Sequence, residues 1–199
     1  MKKNISSDSK ELLVGKLRDG MTIAAGGFGL CGIPENLIKA IAESGKKGLT
    51  IIGNNMGTDD KGMGLLLKNN QVSKVVASFV GDNKEFERQV LEGLLELELC
   101  PQGTLAEKLR AGGAGIPAFF TKTGLGTVLA TNKPTQTFDG SEYVLERSIK
   151  ADLSIIKCHI SDEAGNLRFR KTARNFNPMI ATCGEICVVE CEEFVSEGS

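Results

Sequence analysis

At 199 residues, 41% of them hydrophobic, the chain is long enough to bury one substantial core and fits a single domain spanning residues 1–199. Lys and Arg number 24 against 25 for Asp and Glu, a formal net charge of −1, which excludes the broad basic field that a nucleic-acid partner needs. The six cysteines, Cys31, Cys100, Cys158, Cys183, Cys187 and Cys191, form no C-x-x-C pair and read as reduced cytosolic thiols.

The N-terminal MKKNISSDSKELLVGKL turns polar after its lysines, where a secretory leader needs an apolar core, so a cytoplasmic location is expected. The longest apolar runs, such as VVASFV, fall far short of the ~20 residues of a membrane helix, and no membrane partner is expected. MTIAAG reads as a short buried strand ending in glycines. After the GGFGLCG turn, IPENLIKAIAES reads as a helix, with Pro34 in its first turn, Leu37, Ile38, Ile41 and Ala42 on one face and Gly45 as its stop. The same grammar returns in LTIIGNN, in VSKVVASFVG before DNKEFERQVLEG, and in LLELELC before PQGTLAEKLRAGG. Alternating strands and helices imply an α/β domain with an open, mainly parallel sheet flanked by helices. In the C-terminal third the pattern changes. TQTFDGSEYVLE alternates about Asp139-Gly140 as a β-hairpin, ADLSIIKCHI and ICVVECEEFV have buried-strand composition, and DEAGNLRFRK between them reads as a second hairpin. No internal repeat is evident.

Gly27, Gly29 and Gly32 have the G-x-G-x-x-G spacing of a dinucleotide-binding turn. That fingerprint needs an acid about 20 residues on, at the end of the second strand, to hold the ribose. Here the strand ends in Asn54 and Asn55, and Asp59 and Asp60 lie beyond another glycine, which argues against NAD. A Walker A loop is excluded because Ile33 and Pro34 follow Gly32. A strand feeding a glycine turn into a helix start still leaves backbone N–H groups able to meet an anion or a developing oxyanion, or the glycines merely allow tight packing.

Three further polar or glycine segments are read as strand ends converging on the first loop: Asn54-Asn55-Met56-Gly57, Pro101-Gln102-Gly103-Thr104 and Gly112-Gly113-Ala114-Gly115. Asn and Gln carboxamides can orient a carboxylate or thioester carbonyl. Thr104 is explained by T-L-A-E as a capping box, which leaves Gln102 without a structural duty, whereas Asn54 and Asn55 serve equally well as turn residues. His159, the only histidine, reads as a packed core residue. Cys183, Cys187 and Cys191 are four apart, but β-branched ICVVEC argues for a strand, and no metal site is expected. Arg168, Arg170, Lys171 and Arg174 read as a solvated basic face, and Glu35 as a first-turn residue answering the helix dipole. No nucleophile or acid/base constellation is recognisable, so the chain reads as half of an active site.

DGMTIAAGGFGLCGIPENLI, GNNMG, SFVGDNKEFERQ, PQGTLAEKLRAGGAGIPAFFT, GLGT and AGNLRFRKTARNFNP together resemble one of the two subunits of the 3-oxoacid CoA-transferases, the one without the nucleophile. The likeness is to the succinyl-CoA:3-ketoacid type in particular and runs from about residue 18 to 195. The resemblance implies a hetero-oligomer with the second CoA-transferase subunit. Such an enzyme moves CoA from an acyl-CoA such as succinyl-CoA to a 3-oxo acid such as acetoacetate by a ping-pong route. The nucleophilic glutamate is expected on that second subunit, and no cofactor is implied beyond CoA, itself a substrate. By the same resemblance, Gly26, Gly27, Phe28, Gly29, Leu30, Cys31 and Gly32 form the CoA and acyl-CoA loop, joined by Gly113, and Asn54 and Gln102 line the carboxylate and thioester site. Family members usually continue past EEFV with a proline-punctuated tail, where this sequence reaches Glu197-Gly198-Ser199, and usually carry an aliphatic residue at the place of Cys100. An acetate- or butyrate-type CoA-transferase is the alternative within the family, and a nucleotide-binding regulatory module the alternative outside it.

Overall fold

The computed structural model describes residues 3–198, so Met1 and Lys2 of the N-terminal segment and the terminal Ser199 lie outside the described residues. In chain order the elements are α1 (Ser9–Leu13), β1 (Thr22–Ala25), α2 (Glu35–Glu43), β2 (Leu49–Ile52), α3 (Gly64–Lys68), β3 (Val72–Ala77), α4 (Lys84–Leu91), β4 (Glu96–Leu99), α5 (Gln102–Gly113), β5 (Ala118–Thr121), β6 (Thr135–Phe138), β7 (Ser141–Arg147), β8 (Ala151–Asp162), β9 (Leu167–Arg168), α6 (Asn177–Cys183) and β10 (Gly184–Val195). Short 3₁₀ turns cover Val128–Ala130 and Lys171–Arg174.

The main sheet runs β10-β8-β1-β2-β3-β4, every pair parallel, with β9 antiparallel to β8. The expected open, mainly parallel α/β sheet is therefore what forms. Alternation along each strand sends successive side chains to opposite layers. Ile23, Ile51, Val75 and Ile155 pack with Leu37, Ile38, Leu66 and Phe86 from α2, α3 and α4. Ala24, Ile52, Val76 and Ile156 face Leu105, Leu109 and Ile180 from α5 and α6. Because both faces are covered there, the inner strands β1 and β2 read as near-continuous apolar runs.

Strand order reverses direction at β1: β2, β3 and β4 add on one side, and β8 and β10 on the other. Such a reversal opens a crevice at the carboxyl ends of the neighbouring strands. At their amino ends β1 and β8 are tied by Asp152, which accepts from the Thr22 N–H at 2.7 Å and from Arg18 at 2.6 Å.

The expected Asp139-Gly140 hairpin forms between β6 and β7, both turn residues at positive φ, and β5 completes a three-stranded antiparallel sheet. The second hairpin joins β8 to β9. Five readings need correction. The segment 177–183, not assigned from sequence, is α6, the crossover that lets β10 return parallel to β8. ICVVECEEFV is not a buried strand: β10 is a sheet edge in which Val188 alone is fully buried. His159 is a half-buried residue whose Nδ1 lies 3.0 Å from Glu192 Oε2, not a core side chain. Thr104 caps nothing, because α5 begins two residues earlier, behind Pro101, with no side-chain cap. Gly112 to Gly115 is the last turn and exit of α5, not a strand end.

Candidate active site

The carboxyl ends of β1, β2 and β4 deliver the glycine loop, Asn54-Asn55 and Gln102 to one edge of the sheet. The glycine loop is a miniature hairpin. The Phe28 N–H donates to Cys31 O at 3.0 Å and the Cys31 N–H to Phe28 O at 2.9 Å, with Gly29 and Leu30 at the tip. Gly29 sits at φ +59°, a conformation that costs side-chain-bearing residues. Phe28 and Leu30 are exposed at 49% and 40%.

The loop after β2 repeats this design in different residues. Thr58 and Lys61 exchange both backbone hydrogen bonds about an Asp59-Asp60 tip, between Gly57 and Gly62. The two hairpins nest, since a Cβ on Gly62 would lie 3.5 Å from Leu30 Cδ2. Nothing in the residue types of FGLC and TDDK announced this likeness.

Three carboxamides join the parts. Gln102 Nε2 donates to Asn54 Oδ1 at 2.7 Å, Asn54 Nδ2 donates to Asn55 Oδ1 at 3.2 Å, and the Gly29 N–H donates to the same Asn55 oxygen at 2.9 Å. Asn54 is buried, Asn55 half-buried and Gln102, in the first turn of α5, exposed. Beneath them lies a small cavity of about 10 Å³, lined by Gly26, Gly27, Gly29, Asn54, Asn55 and Gly57 among others, the size of one water molecule. Two buried hydroxyls, Ser78 Oγ just past β3 and Thr104 Oγ1 in the first turn of α5, have no hydrogen-bond partner among the described residues.

The other flank of the glycine loop is held by a segment whose polar residues sequence reasoning left unassigned. Asn177, fully buried, donates Nδ2 to Gly32 O at 3.0 Å and to Ala173 O at 2.8 Å, while its Oδ1 accepts from the Lys157 N–H at 3.0 Å. A Cβ on Gly26 would lie 1.8 Å from that oxygen, so glycine is required there by close approach. Asn175 donates to Cys31 O at 3.1 Å, and Cys31 Sγ lies 3.4 Å from Thr172 Oγ1.

The structure thus gathers Gly26, Gly27, Phe28, Gly29, Leu30, Cys31, Gly32, Asn54 and Gln102. It does not bring Gly113 to them. Gly113 ends α5 about 16 Å along the helix axis from Gln102 at 1.5 Å per residue. Its missing side chain admits Thr182 of α6, whose Oγ1 would lie 2.2 Å from a Cβ there. Of the basic residues, Arg170 approaches Glu192 at 3.5 Å and Arg174 lies over the Phe169 ring at 6.0 Å. Burial pushes the thiols of Cys100 and Cys158 up to about 11 and about 12, which makes them poor nucleophiles. Among the described residues no group of three His, Cys, Asp or Glu is placed to hold a metal.

A family model described as "Coenzyme A transferase" matches residues 8–199. This chain belongs to the coenzyme A transferase family. It is 58% identical over 193 residues to the first-lettered subunit of the succinyl-CoA:3-ketoacid coenzyme A transferase of Xanthomonas campestris pv. campestris (strain B100), covering 97% of this chain and 80% of that one. It is 57% identical over 194 residues to the corresponding subunit of the probable succinyl-CoA:3-ketoacid coenzyme A transferase of Bacillus subtilis (strain 168), covering 98% and 81%. Its fold matches the acyl-CoA transferase apoenzyme of Escherichia coli O157:H7 with a TM-score of 0.85 at 20% identity, over 100% of this chain and 45% of that one. No helix among the described residues is long and apolar enough to cross a membrane.

Proposed function

We propose that this chain, as one domain in the cytoplasm, is the non-nucleophilic subunit of a hetero-oligomeric CoA-transferase that moves CoA from succinyl-CoA to a 3-oxo acid such as acetoacetate. The observation that carries this reading is the Gln102–Asn54 pair, held at 2.7 Å beside the glycine loop, which presents neutral donors without a nucleophile of its own. The names of the relatives support the substrate pair and the need for a second, complementary subunit. No cofactor is needed, CoA being a substrate.

In this reading a glutamate carboxylate of the complementary subunit attacks the thioester carbonyl, whose oxygen takes up the charge. Gln102 Nε2 has one N–H engaged by Asn54 and offers the other to that oxyanion. The thiolate of CoA then leaves and an acyl–glutamyl anhydride remains. CoA thiolate attacks the glutamyl carbonyl, expelling succinate and forming a glutamyl–CoA thioester. The acceptor acid reverses both steps, so two similar half-reactions replace one difficult exchange. Gly29, with open space where a Cβ would stand, lets the acyl-CoA approach the backbone, and the exposed Phe28 and Leu30 cover the reacting centre from water.

The test is reconstitution with the complementary subunit, a transfer assay over a panel of acids, and mass spectrometry of the trapped intermediate. The expected result is a glutamyl–CoA adduct on the complementary subunit, fastest turnover with acetoacetate, and none by this chain alone. Turnover by the rigorously purified chain, preference for acetate or butyrate, or ligand binding with no transfer would each overturn the corresponding part.

A further inference from the structure

We propose that Asn55 is a positioning residue whose carboxamide oxygen, fixed by the Gly29 N–H, sets the orientation of Asn54 and through it of Gln102. The inference rests on the reading of Gln102 as the donor to the oxyanion. A carboxamide can present its oxygen or its nitrogen to a neighbour, and which one is dictated by that neighbour. A backbone N–H can only donate. The atom of Asn55 lying 2.9 Å from Gly29 N is therefore the oxygen. That oxygen also faces Asn54, at 3.2 Å, so Asn54 must turn its Nδ2 toward it. Asn54 Oδ1 is thereby directed at Gln102, at 2.7 Å, and Gln102 must answer with Nε2.

One backbone donor thus decides the sense of three side-chain amides in series. Reversing any one would set donor against donor or acceptor against acceptor. Asn54 is only 4% exposed, so bulk solvent does not reach it to replace a lost partner. The same bond at Asn55 holds the tip of the glycine hairpin, which couples the loop expected to cover the acyl-CoA to the donor expected to hold its oxyanion. Asn55 itself touches no reacting group in this arrangement. A bare turn residue would make neither side-chain bond.

The experiment measures kcat, KM and hydrogen–deuterium exchange of the peptide covering residues 26–32 in the reconstituted two-subunit complex, for Asn55→Leu, Asn55→Asp and Asn54→Asp. Leucine removes the acceptor, so kcat falls on the order of tenfold or more with a smaller change in KM, and the loop exchanges faster. Aspartate keeps an oxygen able to accept from both Gly29 and Asn54, so Asn55→Asp retains slow loop exchange and a kcat well above that of the leucine variant. In Asn54→Asp the donor to Asn55 is gone. Asn55 must turn its nitrogen to the new carboxylate, and loop exchange accelerates although the side-chain bonds of residue 54 go to Asn55 and Gln102, not to Gly29. Loop exchange unchanged in Asn55→Leu, or equally fast in the aspartate and leucine variants of position 55, overturns the proposal. Should the wild-type complex transfer no CoA, the functional reading fails, and the exchange contrast at position 55 still decides the relay.

Discussion

Gln102 and Gly29 bear the residue-level consequences most directly. Gln102→Ala is expected to lower kcat by roughly tenfold to a thousandfold, the range for one lost oxyanion donor, with a smaller effect on KM; steady-state kinetics of the assembled enzyme checks this. Gly29→Val places a β-branched residue at φ +59° with open space around its Cβ, so its penalty is backbone strain and not a clash. Gly29→Asn, whose side chain tolerates that region, is expected to retain more acyl-CoA binding and a higher Tm than the valine variant. Thr104→Val is expected to be neutral or stabilising in urea unfolding, because the hydroxyl it removes is buried without a partner. A capping threonine would instead cost about 1 kcal/mol. Gln102 stood out in the sequence because nothing local explained it, whereas Asn54 was singled out only by the family resemblance, its local pattern serving equally well as a turn. Asn55 was not, since its role depends on a backbone N–H 26 residues away. Gly113 was misplaced because a glycine that admits a neighbouring helix looks, in sequence, like one that admits a ligand.

Among the elements, α2 shows how a helix start can be completed from a distance. Pro34 at its N-cap supplies no side-chain acceptor. The carboxylate of Glu190, on β10, accepts from the Asn36 N–H at 2.9 Å and the Leu37 N–H at 3.3 Å instead. Glu190→Ala is therefore expected to cost about 1 kcal/mol, the usual value of an N-cap, measured by urea unfolding, although its position on an edge strand suggests no such role. The apolar periodicity of α2 and the runs of β1 to β3 were readable because burial on one helix face or on both sheet faces imposes a simple pattern. The short α6 was not, because seven residues contain barely two helical turns and include β-branched Ile180 and Thr182. β10 misled for a related reason: ICVVEC has the composition of a central strand, yet its position at the end of the strand order is set by topology. The twin hairpins escaped notice because their likeness lies in the glycines and the backbone pairing, not in the side chains between.

For the molecule as a whole, the two sheets are joined through a buried charge cluster. Glu146 of β7 meets Lys108 of α5 at 3.0 Å and Lys133 at 2.6 Å, with Glu146 and Lys108 only 5% and 8% exposed at their side chains. Burial alone would lower the pKa of Lys108, but its hydrogen bond to Glu146 together with the charges of Cys100, Glu146 and Glu98 outweighs it and raises the value. Glu146→Ala leaves a buried ammonium without its main partner and is expected to destabilise by about 3 kcal/mol, read as a lower urea midpoint. Asp152 is one of the carboxylates that make stability depend on pH. The Thr22 N–H, and after it Arg18, hold its carboxyl below the ordinary value, so its stabilisation is present above the unfolded-state pKa and disappears as pH falls through the folded one. Asp152→Asn is expected to show a shallower loss of stability than the wild type below about pH 4, followed by thermal unfolding across acid buffers. The carboxamides at the crevice behave in the opposite way, for an amide neither gains nor loses a proton anywhere in the range where the protein is folded. Replacing Gln102 by alanine should therefore sink a rate–pH curve by one factor at every pH and leave its shape alone. Each bend that survives in that curve then marks an ionisation outside the amide chain, which turns the profile of this crippled variant into a map of the acid–base groups brought by everything else in the assembled enzyme.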